Sequence, residues 1–182
     1  MAGDVRVWDP IVRIGHWALV TCIAVAWLSG DEWQSLHETA GYAAVEIVAI
    51  RIVWGFIGSR HARFSDFVRS PSVVLGYLKD LIAGRERRHL GHNPAGGAMI
   101  VALLATILGL GLTGWLSTTD AFWGVEWVQE THETLADGLI VLVALHIGGV
   151  LLASIHEGEN LVRAMVTGRK RLGAEHLGEP AE

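Results

Sequence analysis

Four apolar runs, each about long enough to cross a lipid bilayer, constrain this sequence more than any other feature. A membrane-spanning helix needs about 20 mostly apolar residues. The runs cover residues 11–28, 37–57, 96–116 and 132–154. The second and fourth contain ionisable residues and are therefore weaker spans by hydropathy, but such residues are usually functional inside a membrane. We predict an all-α membrane protein, a four-transmembrane-helix bundle that forms a single domain over residues 1–182.

Charged side chains are divided unevenly between the two ends of the predicted helices. Every Lys and Arg except Arg51 lies in or beside the terminal segments and the long middle loop. The loops at residues 29–36 and 117–131 contain no Lys or Arg. Their acidic residues are Asp31, Glu32, Asp120, Glu126 and Glu130. The positive-inside rule therefore predicts that both termini and the middle loop are cytoplasmic.

The middle loop contains a shorter helical pattern. Ser70 and Pro71 suit a helix start, apolar residues recur at helical spacing after them, and Gly84 ends the pattern. We predict a short amphipathic helix over residues 70–84, on the cytoplasmic surface between helices two and three. Residues 159–171 are predicted to form a similar segment, and residues 172–182 a flexible tail.

Four of the nine histidines lie at depths that form two pairs. His132 and His146 are 14 residues apart, so they share one helix face and lie about 21 Å apart along the axis. His37 opens the second run at the same outer level as His132. His16 lies 14 residues before Gly30, which places it level with His146. Depth therefore predicts an outer pair, His37 with His132, and an inner pair, His16 with His146.

Two facing histidines can supply the two axial ligands of one haem iron. We therefore predict two haems b, with the four paired histidines as metal ligands. The haems are non-covalent, because a Cys-x-x-Cys-His motif is absent. Two alternatives stay open: a zinc site, which would need its ligands around one centre, and buried histidines that only form hydrogen bonds.

Two further residues lie near the predicted inner haem. Arg51 is 14 residues after His37 and is predicted either to bind a haem propionate or to compensate Glu46. His156 is the alternative to His146, but it lies about 36 Å along the helix from His132 and is expected at the cytoplasmic surface.

The segments that open the second and fourth runs are similar. Glu32-Trp33 precedes His37-Glu-Thr, and Glu126-Trp127 precedes His132-Glu-Thr. The similarity indicates either that the chain consists of two related helix pairs or that the two segments resemble each other by chance.

Several stretches resemble the prokaryotic cytochrome b561 family, whose relatives include the b-type cytochrome subunits of nickel-iron hydrogenases and, more distantly, of formate dehydrogenases. They are Arg13-Ile-Gly-His16-Trp17, His37-Glu-Thr-Ala-Gly41, Arg51-Ile-Val-Trp54-Gly55, Gly91-His92-Asn93-Pro94, Leu112-Thr113-Gly114, His132-Glu-Thr-Leu-Ala and Asn160-Leu-Val-Arg-Ala-Met165. The resemblance implies a four-helix core with two haems b, ligated by the same four histidines.

The resemblance also implies transmembrane electron transfer between the quinone pool and a periplasmic redox partner, a hydrogenase or a c-type cytochrome. One alternative is a stand-alone membrane oxidoreductase that exchanges electrons between quinone and a small oxidant or reductant such as superoxide. Another is a non-redox membrane protein whose histidines bind zinc or only pack. We assign no catalytic residue. The expected location is the bacterial inner membrane, in a respiratory chain; a homodimer is compatible with the sequence, and no nucleic-acid partner is expected.

Overall fold

The computed structural model describes residues 4–30, 32–85 and 89–171. Its elements, in chain order, are the strand β1 (Asp4–Arg6), the helices α1 (Pro10–Ser29) and α2 (Gln34–Ile57), a 3₁₀ turn (Arg60–Ala62), the helices α3 (Phe64–Phe67), α4 (Pro71–Ile82), α5 (Pro94–Ser117), α6 (Glu126–His156) and α7 (Leu161–Thr167), and the strand β2 (Arg169–Arg171). Four helices, α1, α2, α5 and α6, are long and apolar enough to cross a membrane. The predicted fold class is confirmed, with α4 as the short helix between the second and third spans.

Polar side chains fix the starts of two spanning helices. Asp9 Oδ1 accepts a hydrogen bond of 3.0 Å from the backbone N–H of Val12, just before α1. Asn93 Oδ1 accepts one of 2.7 Å from the backbone N–H of Gly96, just before α5. In both helices the first residue is a proline, which suits that position. These caps place both starts slightly before the apolar runs.

Helix α6 begins six residues before its apolar run, at Glu126 rather than His132. Its charged residues, including Glu126, Glu130 and Asp137, lie in its first turns. The remainder contains the most apolar stretch of the four spans. The expectation that this helix is a weak span is therefore wrong, because its charges are confined to one end.

Close packing joins the spanning helices in the order α1, α2, α5 and α6. The buried core that they share consists of Ala44, Val48, Leu104, Ile107 and Leu139. Gly111 lets α5 approach α2, since a Cβ at this position would lie 2.3 Å from Val45 Cγ2. Many large apolar side chains elsewhere on the spans are exposed, as expected for surfaces that contact lipid.

Helix α4 begins at the predicted proline and ends at Ile82, before Gly84 at φ +65°. None of its residues is buried, and Leu75 and Ile82 are strongly exposed. This apolar exposure suits a helix that lies along a bilayer surface.

Some predictions fall on residues outside the described part of the chain. They concern the acidic loop residue Asp31, the basic residues Arg87 and Arg88, and the tail at residues 172–182.

A two-stranded antiparallel sheet, absent from the sequence analysis, joins the two ends of the described chain, with Val5 of β1 opposite Lys170 of β2. The Lys170 side chain is only 2% exposed. Its Nζ donates to Glu157 Oε2 at 2.9 Å and to the His89 carbonyl at 3.1 Å. The segment predicted to be helical over residues 159–171 therefore divides at Gly168, φ +80°, into α7 and the strand β2.

The short helix α3 was also not predicted, and it fills the space between α2 and α5. Phe67 is fully buried there. A Cβ at Gly55 would lie 2.2 Å from the Phe64 ring, and a Cβ at Gly97 would lie 2.5 Å from the backbone oxygen of Phe67. Two glycines on separate spanning helices therefore let α3 pack directly against both backbones.

Replacement of Gly97 by alanine is expected to destabilise the protein by roughly 1–3 kcal/mol, because a backbone oxygen cannot rotate away from the added methyl group. Gly76→Ala in α4 is the control, since a Cβ there meets no described atom within 4 Å. Thermal unfolding of the purified proteins in detergent measures the difference. Equal stability of the two variants would contradict the close approach of α3 to α5.

Candidate functional site

One pair of facing histidines connects α1 with α6. The ring centroids of His16 and His146 lie 6.3 Å apart, with an angle of 49° between the ring planes. Trp17 packs edge-on against His16, with its ring centroid 5.1 Å away. Both histidines are half-buried. This is the inner pair of the sequence analysis.

A second pair connects α2 with α6. The ring centroids of His37 and His132 lie 6.0 Å apart, at an interplanar angle of 66°. Helix α6 is continuous from Glu126 to His156. The 14 residues between His132 and His146 therefore correspond to about 21 Å along one helix. The structure thus brings the histidines together in the combinations that depth predicts; their role as metal ligands stays a prediction.

The ring separations fit a metal held between the two members of each pair. Imidazole nitrogens bind first-row metals at about 2 Å, so two rings that bind one ion from opposite sides have centroids roughly 6 Å apart. Helices α1 and α2 have at most marginal backbone contact with α6. The histidine rings of each pair therefore approach each other from helices whose backbones are not closely packed.

Hydrogen bonds at the outer pair involve the Nδ1 atoms. His37 Nδ1 lies 2.8 Å from the carbonyl oxygen of Ala26, and His132 Nδ1 lies 2.9 Å from Thr113 Oγ1. Because a carbonyl oxygen only accepts, His37 must donate from Nδ1, which leaves the lone pair on Nε2 free for a metal. Metal-binding histidines commonly donate their other ring N–H in this way.

The inner pair differs in this respect. The Nδ1 atom of His16 is buried and has no hydrogen-bond partner among the residues that the structure describes.

Arg51 packs against aromatic rings and forms no ion pair with a carboxylate among the residues that the structure describes. Its guanidinium carbon lies 5.4 Å from the Phe64 ring centroid and 5.9 Å from that of Phe67. Its Nη1 atom is buried and has no hydrogen-bond partner within the described residues. Among those residues the structure gives no ion pair between Arg51 and Glu46, whose side chain is exposed. The unpartnered N–H groups therefore suit an anionic group such as a haem propionate.

His92 lies in an aromatic cluster that sequence reasoning missed. Its ring packs 4.4 Å from that of Trp8 and 4.8 Å from that of Phe67. Burial lowers the pKa of His92 to about 3, and the nearby charges of Arg51 and of other residues, including His146, act in the same direction. His92 is therefore neutral at physiological pH, and it contacts the same Phe67 ring as Arg51. Its only sequence signal is the Gly91-His92-Asn93-Pro94 motif.

The remaining histidines of the described regions lie outside the two pairs. His61 Nδ1 is 3.1 Å from Asp66 Oδ2, and His156 is exposed at the end of α6. In residues 4–30, 32–85 and 89–171, no three or more His, Cys, Asp or Glu side chains gather as a metal site would require. This distribution does not support the alternative of a zinc site with clustered ligands.

Comparison with known proteins gives a family match over most of the chain. A family profile described as prokaryotic cytochrome b561 matches residues 7–168. The chain is 21% identical to a probable Ni/Fe-hydrogenase B-type cytochrome subunit of Rhodobacter capsulatus, over 92% of this chain and 81% of that protein. It is 24% identical to a probable Ni/Fe-hydrogenase 1 B-type cytochrome subunit of Escherichia coli (strain K12), over 89% and 88% of the two chains. No solved structure matches the chain.

Proposed function

Since this chain belongs to the prokaryotic cytochrome b561 family, we propose that it transfers electrons across the bacterial inner membrane, between the quinone pool and a periplasmic redox partner, with two bound haems b. Membership of a b-type cytochrome family implies haem b and transmembrane electron transfer. The observation that carries the finer proposal is the presence of two facing histidine pairs, with ring centroids 6.3 and 6.0 Å apart, at two depths of one bundle.

Each pair would hold one haem. His16 and His146 would bind the inner iron, and His37 and His132 the outer iron. When bound, haem b supplies one-electron chemistry. The distance between His132 and His146 along α6 is about 21 Å, which is most of the thickness of a hydrocarbon core of about 30 Å. This spacing suits electron transfer between the two membrane faces.

Arg51 would bind a propionate of the inner haem. A guanidinium fork matches a carboxylate, and a charge-assisted hydrogen bond is stronger than a neutral one. The buried, unpartnered Nη1 atom and the absence of a Glu46 ion pair in the described residues favour this role over compensation of Glu46. The aromatic rings of Phe64 and Phe67 would hold the guanidinium in place from another side.

The partner is inferred from the relatives and from the acidic loops. The two relatives are named as B-type cytochrome subunits of Ni/Fe-hydrogenases, which favours a hydrogenase partner over a stand-alone oxidoreductase. Acidic side chains are exposed at the end of the bundle opposite the two strands, where they would attract a basic docking surface. They are Glu32, Asp120, Glu126 and Glu130. The basic, strand-bearing end would face the cytoplasm, by the positive-inside rule.

The purified protein is expected to contain two haems b per chain, and His16→Ala and His37→Ala are each expected to remove one, because each breaks a different pair. His156→Ala is the control, since this exposed histidine belongs to neither pair. Reduced-minus-oxidised spectra with pyridine haemochrome quantification measure the haem content. Loss of haem from the His156 variant, or retention of both haems without His16, would contradict the assignment.

Arg51→Gln is expected to weaken retention of the inner haem by about tenfold or more, because one charge-assisted hydrogen bond contributes about 1.5–3 kcal/mol. The outer haem should be unaffected. Arg69→Gln is the matched control, since this exposed arginine donates to the nearby backbone carbonyls of Ser65 and Asp66. Haem transfer to apomyoglobin measures the retention of each haem. Equal loss from the two variants would argue against a propionate contact.

Electron transfer is tested with the holoprotein in liposomes. Added quinol should reduce both haems, and a purified hydrogenase or c-type cytochrome should then exchange electrons with them only from the acidic-loop side. A fully haem-loaded protein that quinol does not reduce would contradict the proposed quinone link. Rapid reaction with superoxide, with no protein partner present, would instead support the stand-alone oxidoreductase.

A further inference from the structure

We propose that Thr113 is a positioning residue for the outer haem: its hydroxyl fixes His132 in the tautomer that leaves Nε2 free for iron and lowers the reduction potential of that haem. The proposal rests on the proposed function, since the outer pair must hold a haem. None of the roles assigned above involves Thr113.

The hydroxyl of Thr113 is buried and makes several short contacts; the residue is only 6% exposed. Oγ1 lies 2.9 Å from the carbonyl oxygen of Gly109 and 3.2 Å from that of Leu110, one turn earlier on α5. It also lies 2.9 Å from Nδ1 of His132 on α6. Three polar atoms therefore share one hydroxyl group.

The number of hydrogens determines how these contacts are made. A hydroxyl has one hydrogen and two lone pairs, whereas a carbonyl oxygen only accepts. The Thr113 hydrogen is therefore directed to the backbone of α5, and its oxygen accepts from the Nδ1–H of His132. With the ring hydrogen on Nδ1, the lone pair of His132 is on Nε2, where an iron ligand requires it. The opposite tautomer would place a hydrogen on Nε2 and prevent ligation.

The residue after Thr113 restricts the ring as well. A Cβ at Gly114 would lie 3.3 Å from His132 Cε1 and 3.7 Å from its Nδ1, so the ring lies closely against the α5 backbone. On the other side of the outer pair, Ala26 accepts from His37 Nδ1 at 2.8 Å. Both outer imidazoles are thus held by acceptors at Nδ1, whereas His16 of the inner pair has no such partner among the described residues.

These acceptors also affect the electronic properties of the ligand. An imidazole that donates from Nδ1 is a more basic ligand, which favours ferric over ferrous iron and lowers the reduction potential. A hydroxyl that itself donates to a carbonyl is a stronger acceptor, because adjacent hydrogen bonds polarise one another. Thr113 therefore makes the outer haem harder to reduce.

The test compares variants of the haem-loaded protein. Thr113→Val removes the hydroxyl and keeps the shape, and Thr113→Ser restores the hydroxyl. Thr106→Val is the matched control, because Thr106 Oγ1 donates to the Ala102 carbonyl at 2.9 Å on the same helix. Spectroelectrochemical titration and electron paramagnetic resonance of both haems give the readouts, and the His37→Ala protein identifies the signals of the outer haem by their loss.

We expect Thr113→Val to move the midpoint potential of the outer haem to a more positive value and to change its resonance spectrum, with the inner haem unchanged. A tenfold loss of ferric preference would correspond to about 59 mV for one electron. Thr113→Ser should restore the original potential, and Thr106→Val should not alter it. Selective loss of the outer haem from the valine variant, with retention in the serine variant, also supports the proposal.

Two results would overturn the proposal while the proposed function stands. One is a Thr113→Val protein with two haems and unaltered potentials. The other is loss of the outer haem from both Thr113 variants, which would show that shape rather than the hydroxyl is required. A wild-type protein that binds no haem sensitive to His37→Ala would instead overturn the outer site itself, and this inference with it.

Discussion

Two pairs of imidazole rings connect α6 with the two helices opposite it, next to the apolar core that the spanning helices share. Close packing connects α1 to α2, α2 to α5 and α5 to α6, while α6 meets α1 and α2 through the histidine pairs. In a bilayer, apolar side chains gain little by leaving lipid for one another, so the contacts between helices must come from shape, polar groups or bound cofactors. The two histidine pairs supply polar groups at these contacts.

Much of this arrangement follows from the sequence because an α-helix has a constant rise. His132 and His146 lie in one uninterrupted helix, so counting residues gives their depths, and the same count gives the levels of His37 and His16. Thr113 lies four residues before the end of α5 and His132 six residues after the start of α6, so helix rise places both near the same end of the bundle. A comparison of depths that covered hydroxyl side chains as well as histidines would therefore have placed Thr113 near His132.

The features that escaped prediction depend on contacts between distant residues or on short segments. Helix α3 has four residues, and its position is decided by two glycines on other helices. The burial of Lys170 depends on Glu157 and on a backbone carbonyl of the middle loop. The start of α6 lies in polar turns that an apolar pattern does not include. No local periodicity encodes any of these.

The strand pair has a consequence for how the protein is made. Strand β1 precedes all four spanning helices and β2 follows them, and the two pair antiparallel with Val5 opposite Lys170. The sheet therefore forms only after every helix has been inserted and both ends have been left on the same side of the bilayer. A nascent chain that skips one insertion leaves its ends on opposite sides of the bilayer, where Val5 cannot pair with Lys170. Pairing of β1 with β2 therefore indicates that all four helices have been inserted into the bilayer.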